Sequence, residues 1–185
     1  GRVAASIAGY RELLGEEAAR AADPSLERHL DAVVAQAHRL EVLTACSTAL
    51  LDGRPAARAA DADDGLQRAV ESAFARARAQ FQVKSVRAEC HAALEAAGEP
   101  PDAATFGLIV DNLLLGAVHR SPYGAPLELR AAAGDGTITI EVDYQDTAGA
   151  AEGPLDADDE PAAHLGVAAH LVERLGATAW RTPAL

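Results

Sequence analysis

Residues 101–122 read PDAATFGLIVDNLLLGAVHRSP, and the rest of the chain has to be arranged around them. Phe106, Ile109, Val110, Leu113, Leu114 and Ala117 recur at helical spacing and mark a buried helix with one polar face. Asn112 stands on that face, and one turn later comes Gly116, which has no side chain. Glycine inside a helix costs about 1 kcal/mol relative to alanine. Either a neighbour packs too closely for a methyl group, or a side chain that once did chemistry has gone.

Upstream, Leu66, Val70, Phe74, Ala77 and Phe81 mark another helix, and SVRAEC (85–90) alternates like a strand. GEPP (98–101) is a loop. Downstream, Leu127 and Leu129, the turn Gly134-Asp135-Gly136, and then Ile138, Ile140 and Val142 predict a β-hairpin. Residues 147–161 form an acidic, solvated loop holding Asp156, Asp158, Asp159 and Glu160. The last helix uses Leu165, Ala168, Val172 and Leu175.

Nearer the N-terminus, Val3, Ile7, Tyr10 and Leu14 predict a helix over 2–21. Asp23-Pro24 then supplies an N-cap followed by proline at the first helical position. Leu26, Leu30, Val33, Ala37 and Leu40 continue toward Leu50, and Gly53 closes the segment. The expected fold class is therefore α+β. An antiparallel helical hairpin (1–53) and a polar, Ala-rich linker (54–64) precede an α/β sandwich (65–185). A hairpin alone cannot bury its apolar stripe, so it is expected to pair with a second copy as a four-helix bundle. Leu26, Leu30, Val33, Ala37 and Leu40 would form that homodimer interface.

Composition narrows the function classes. Hydrophobic residues are 49% of the 185, enough for a core, while aromatics are only 4%. Few aromatics and a net charge of −12 argue against nucleic acid, whose phosphates such a surface repels. Cys46 and Cys90 lie far apart in apolar settings and read as buried reduced thiols of a cytosolic protein. No paired Cys/His spacing suggests zinc. No apolar run approaches the roughly 20 residues needed to span a bilayer, and no secretory signal is visible, so the expected location is cytoplasmic. Methionine is absent even at position 1, as expected of a processed product or an excised piece.

The order of elements, hairpin first and sandwich second, resembles the dimerisation-and-phosphotransfer plus ATP-binding modules of bacterial sensor histidine kinases and related histidine phosphotransferases. PDAATFGLIVDNLLLGAVHRSP is similar to the N-box helix of that ATPase superfamily. ITIEVDYQDTAGA is similar to the strand and loop of the first glycine box, and HLGVAAHLVERLGA to the second. The resemblance implies a nucleotide site whose remnants are Asn112, Gly116, Asp146 and Gly166. In it the second polar residue of the N-box helix supplies an oxygen ligand to Mg²⁺. That position is Gly116 here, so the ligand is gone. Asp146 matches the residue that receives the adenine amino group, but Ala148, Ala150, Ala162 and His164 stand where the family has glycines.

The phosphoacceptor histidine is missing too. Residues 1–28 contain no histidine, and if GRVAASIAGYRELL is laid on the family's His-Arg-Val opening, Gly1 falls at its position. A second register puts the histidine upstream of this sequence. The resemblance thus implies a catalytically degenerate two-component signalling protein with neither metal nor nucleotide. It would act by dimerising and by binding a response-regulator receiver domain or a partner histidine kinase. The alternative is a histidine phosphotransferase, which needs no ATP, or an unorthodox kinase using ATP and Mg²⁺, with the phosphoacceptor histidine missing from this chain. Plainer readings stand beside these. Asn112 can be a hydrogen-bonded core group, Gly116 a close-packing site against the sheet, and Asp146 a turn residue. His29 and His38 read as solvated helix positions or a displaced phosphoacceptor, and His119 and Arg120 as surface residues or family-like basic ones.

Overall fold

A computed structural model describes residues 24–52, 65–94, 102–135, 137–146, 153–154 and 163–181, together with Gly9 and Leu14. Helices α1 (Pro24–Asp52) and α2 (Gly65–Lys84) precede strand β1 (Arg87–Ala93) and helix α3 (Ala103–Arg120). Strands β2 (Pro126–Gly134), β3 (Thr137–Tyr144) and β4 (Gly153–Pro154) follow, then helix α4 (Ala163–Arg174) and strand β5 (Trp180–Arg181). The chain is α+β, and from α2 to α4 the helices and longer strands come in the expected order. The helix expected over 2–21 lies outside the described residues except for Gly9 and Leu14, which are both helical, and the 54–64 linker lies outside them as well.

β1, β2 and β3 form one sheet in that order. β1 runs parallel to β2 from Arg87↔Pro126, and β2 runs antiparallel to β3 down to Gly134↔Thr137, with Asp135 in the turn between them. Asp135 has φ 51, the left-handed conformation that such a two-residue turn demands. Alternation along the strands turns Leu127, Leu129 and Ala131 inward onto α2 and α3, with Ala88, Cys90, Ile138, Ile140 and Val142 beside them. The opposite face carries Arg87, Glu89, His91, Glu128, Arg130 and Glu141, and Arg130 bonds to both Glu128 and Glu141 there. β4 and β5 make a separate two-residue pairing that no sequence pattern announced.

α3 is apolar nearly all round because it lies between two cores. Phe106, Val110, Leu114 and Ala117 join α2 and the sheet, while Leu108, Ile109 and Leu115 join Val42 and Cys46 of α1 and Leu171 of α4. Its first turn is capped by Asp102, whose carboxylate accepts the Thr105 N–H at 2.8 Å and hydroxyl at 2.7 Å. Its last turn meets Lys84, whose Nζ donates to the His119 and Ser121 carbonyls at 2.8 Å each. α4 stops at Gly176 (φ 71), where Gly176 N–H donates to Glu173 O at 2.9 Å and Ala177 N–H to Val172 O at 3.1 Å.

Several expectations need correction. Leu113 is only half-buried, and Leu175 lies beyond the end of α4 at 41% exposure, so neither is a full core residue. His38 is buried, because Ala35, His38, Val42 and Cys46 share the inward face of α1. Ala37 is also buried within its own chain, which removes it from the expected dimer stripe. Leu26, Val33 and Leu40 do face outward, at 37%, 53% and 64% exposure, with Leu30 partly covered. Cys90 is half-buried, not buried, and neither cysteine is in a disulfide.

Candidate functional site

A polar seam runs through the helical layer where α1, α2, α3 and α4 meet. Asp111 and Asn112 sit side by side on α3, both fully buried, and turn to different neighbours. An apolar helix packed on all sides leaves such residues no route to water, so each needs a partner within the protein.

Asp111 takes its partners from two helices. Arg76 of α2 donates from Nε to Oδ1 at 3.3 Å and from Nη2 to Oδ2 at 3.1 Å. His38 of α1 brings Nε2 to 3.5 Å from Oδ1. A buried carboxylate is tolerable only with a charged partner such as Arg76, and the contacts of Asp111 tie α1, α2 and α3 together.

Asn112 uses its whole amide. Nδ2 donates to Leu108 O at 2.8 Å and to Cys46 Sγ at 3.1 Å. Oδ1 lies 3.1 Å from His164 Nδ1 in α4, and since that oxygen can only accept, His164 carries its proton on Nδ1. Burial, with Arg39, His119 and His38 as nearby positive or ionisable groups, lowers the His164 pKa to about 4. The ring is thus neutral near pH 7, with its one N–H proton on Nδ1.

One turn on, Gly116 faces α4. A Cβ built there would stand 2.6 Å from Cγ and Cδ2 of Leu165, a buried residue in the first turn of α4. The close approach is to a helix, where the sequence pattern suggested the sheet. At the end of α3, Arg120 Nε donates to Asp146 Oδ2 at 2.7 Å, and both side chains are nearly buried, at 6% and 11% exposure. His119 beside it is exposed, and burial together with Lys84, Arg39 and Arg120 lowers its pKa.

The sequence-predicted positions therefore divide as follows. Asn112 and Gly116 lie on α3 and the buried Gly166 on α4, next to the Leu165 that packs on Gly116, while Asp146 lies just past β3 and meets the end of α3 through Arg120. Gly1, Ala148, Ala150 and Ala162 lie outside the described residues. Sequence reasoning missed Asp111, His38 and Arg76 as a group, and His164 as the partner of Asn112. The signal for Asp111 was present, because LIVDNLLLGAV is apolar on every face. Nothing local pointed to His38 or Arg76. Comparison with family models and with curated proteins finds no match.

Proposed function

We propose that this chain is a two-component-type signalling protein on a histidine-kinase-like scaffold. Its helical hairpin precedes an ATPase-like sandwich, and it acts by dimerisation and by binding a receiver domain or a partner kinase, without phosphoryl chemistry of its own. The observation carrying this reading is that the nucleotide-site remnants are engaged inside the chain. The amide of Asn112 is spent on Leu108, Cys46 and His164. Leu165 fills the space beside Gly116, and Arg120 holds the Asp146 carboxylate. A Mg-nucleotide would have to break these contacts and would gain no oxygen ligand at position 116, so these residues do not fit one.

The outward stripe of α1 supports binding as the mode of action. Leu26, Val33 and Leu40 recur every seven residues and stay 37%, 53% and 64% exposed, the pattern of a helix awaiting an apolar partner. Titration calorimetry with Mg·ATP tests the reading, and no saturable heat is expected up to millimolar nucleotide. Micromolar binding that vanishes in Asp146→Ala would overturn it.

A further inference from the structure

Among the described residues β1 is an edge strand, with β2 on one side and no strand on the other. Arg87 N–H donates to Ala125 O at 3.0 Å, so the odd-numbered residues of β1 turn their backbone groups toward β2 and the even-numbered ones turn theirs outward. Gln67 of α2 meets two of those outward groups as a neighbouring peptide would. Its Nε2 donates to Ala92 O and its Oε1 accepts the Leu94 N–H, both at 3.1 Å. Among the described residues, none plugs Ala88 and Cys90 in this way. Beside them, between α2 and β1, run two adjoining cavities of about 260 and 400 Å³, lined in part by Glu71, Phe74, Arg78 and Cys90. Residues 87–93 contain no proline, lysine or glycine to blunt the edge. We propose that this edge pairs antiparallel with β1 of a second copy about a two-fold axis at Cys90, making one continuous sheet.

Charge selects both the occupant and the register. On the solvent face β1 presents Arg87, Glu89 and His91. An axis at Cys90 sets each Glu89 opposite the second copy's His91, and Cys90 opposite Cys90. α2 runs back along β1, with Glu71 near Cys90 and Ala92 and Arg78 near Ala88. The same axis therefore brings Glu71 toward the second copy's Arg78. An axis at Glu89 would stack that carboxylate on itself. An axis at Ala88 would set Arg87 opposite the second copy's Glu89, but it would oppose the two Arg78 side chains and call on the Val86 N–H, already donated to Phe81 O at 2.8 Å. The other edge, β3, shows Thr137, Thr139, Glu141 and Asp143 on this face, so the charged groups of β3 that a second copy would meet there are all carboxylates. In a chain of net charge −12, self-association is favoured where acidic side chains meet basic ones and not one another.

This seam is independent of the α1 stripe and is best tested with the stripe removed. In full-length Val33→Asp/Leu40→Asp protein, sedimentation over a concentration series should still show dimer. Glu89→Lys and His91→Glu should each raise its dissociation constant about tenfold, and the double variant should return it to within about twofold of the parent. That rescue would not follow from misfolding. Copper-phenanthroline oxidation should give a Cys90–Cys90 linked dimer, lost in Cys90→Ser, and Gln67→Ala should tighten association by freeing Ala92. A monomer at all concentrations in the stripe-free protein, or a dimer indifferent to both charge reversals and unlinked at Cys90, would overturn the proposal.

Discussion

Gly116→Ala sets two physical effects against each other and reads out which one governs α3. In an exposed helix the change would stabilise by about 1 kcal/mol, because alanine is the better helix former. Here the new Cβ would lie 2.6 Å from Cγ and Cδ2 of Leu165, about 1 Å inside ordinary carbon–carbon contact. Leu165 is 4% exposed and has little room to turn away, so α4 itself must shift. Overpacking of this kind costs roughly 1–3 kcal/mol, which leaves a net loss of about 1 kcal/mol after the helix gain. Urea denaturation of Gly116→Ala, Leu165→Ala and the double variant separates the terms. Leu165→Ala alone should lose about 2–4 kcal/mol by leaving a cavity. On that background Gly116→Ala should be neutral or stabilising, because the two clashing carbons are gone, giving a coupling of about 1–3 kcal/mol. A gain of about 1 kcal/mol from Gly116→Ala in the otherwise native chain would refute the packing account and leave the position open. Gly116→Asn carries more atoms into the same space and should destabilise further without creating nucleotide binding.

His164 should make stability fall in acid. Its folded pKa of about 4 lies below the ordinary value of 6.5, so the unfolded chain takes up the proton first. Above pH 6.5 the ring contributes no pH dependence. Between about 6.5 and 4 the folded state loses roughly 3 kcal/mol in all, and His164→Gln should flatten that part of a pH–denaturation profile. Asp111→Ala should destabilise by about 3 kcal/mol, since it removes the buried carboxylate that Arg76 bonds twice and leaves its site empty. Asp111→Asn, measured by the same denaturation, should lose less because the shape and one acceptor remain.

Local pattern made much of the architecture legible. The spacing of Leu66, Val70, Phe74 and Phe81, the alternation of SVRAEC, and the Gly134-Asp135-Gly136 turn each placed an element correctly, because each records a one-dimensional period or a φ requirement. The β4–β5 pairing escaped because two residues carry no period. Ala37 was assigned to the outward stripe because it shares a 3.5-residue rhythm with Val33 and Leu40. At about 100° per residue Ala37 does stay on that side of α1, roughly 140° round from Val42, so spacing gave no sign that it is buried.

The chain by itself settles that residues 103–120 form an apolar helix, that Gly116 follows Asn112 by one turn, and that position 116 offers no oxygen. These are properties of spacing and residue type. Whether Gly116 is an opening or a contact depends on which element lies over it, and α4 is brought there from about fifty residues away by burial of Leu108, Ile109 and Leu171. The same holds for Asn112, whose amide meets Cys46 from α1 and His164 from α4. Partners that distant leave no trace in local periodicity, because what joins them is the free energy of satisfying buried polar groups and closing apolar gaps. Only the tertiary structure makes Gly116 the place where Leu165 packs.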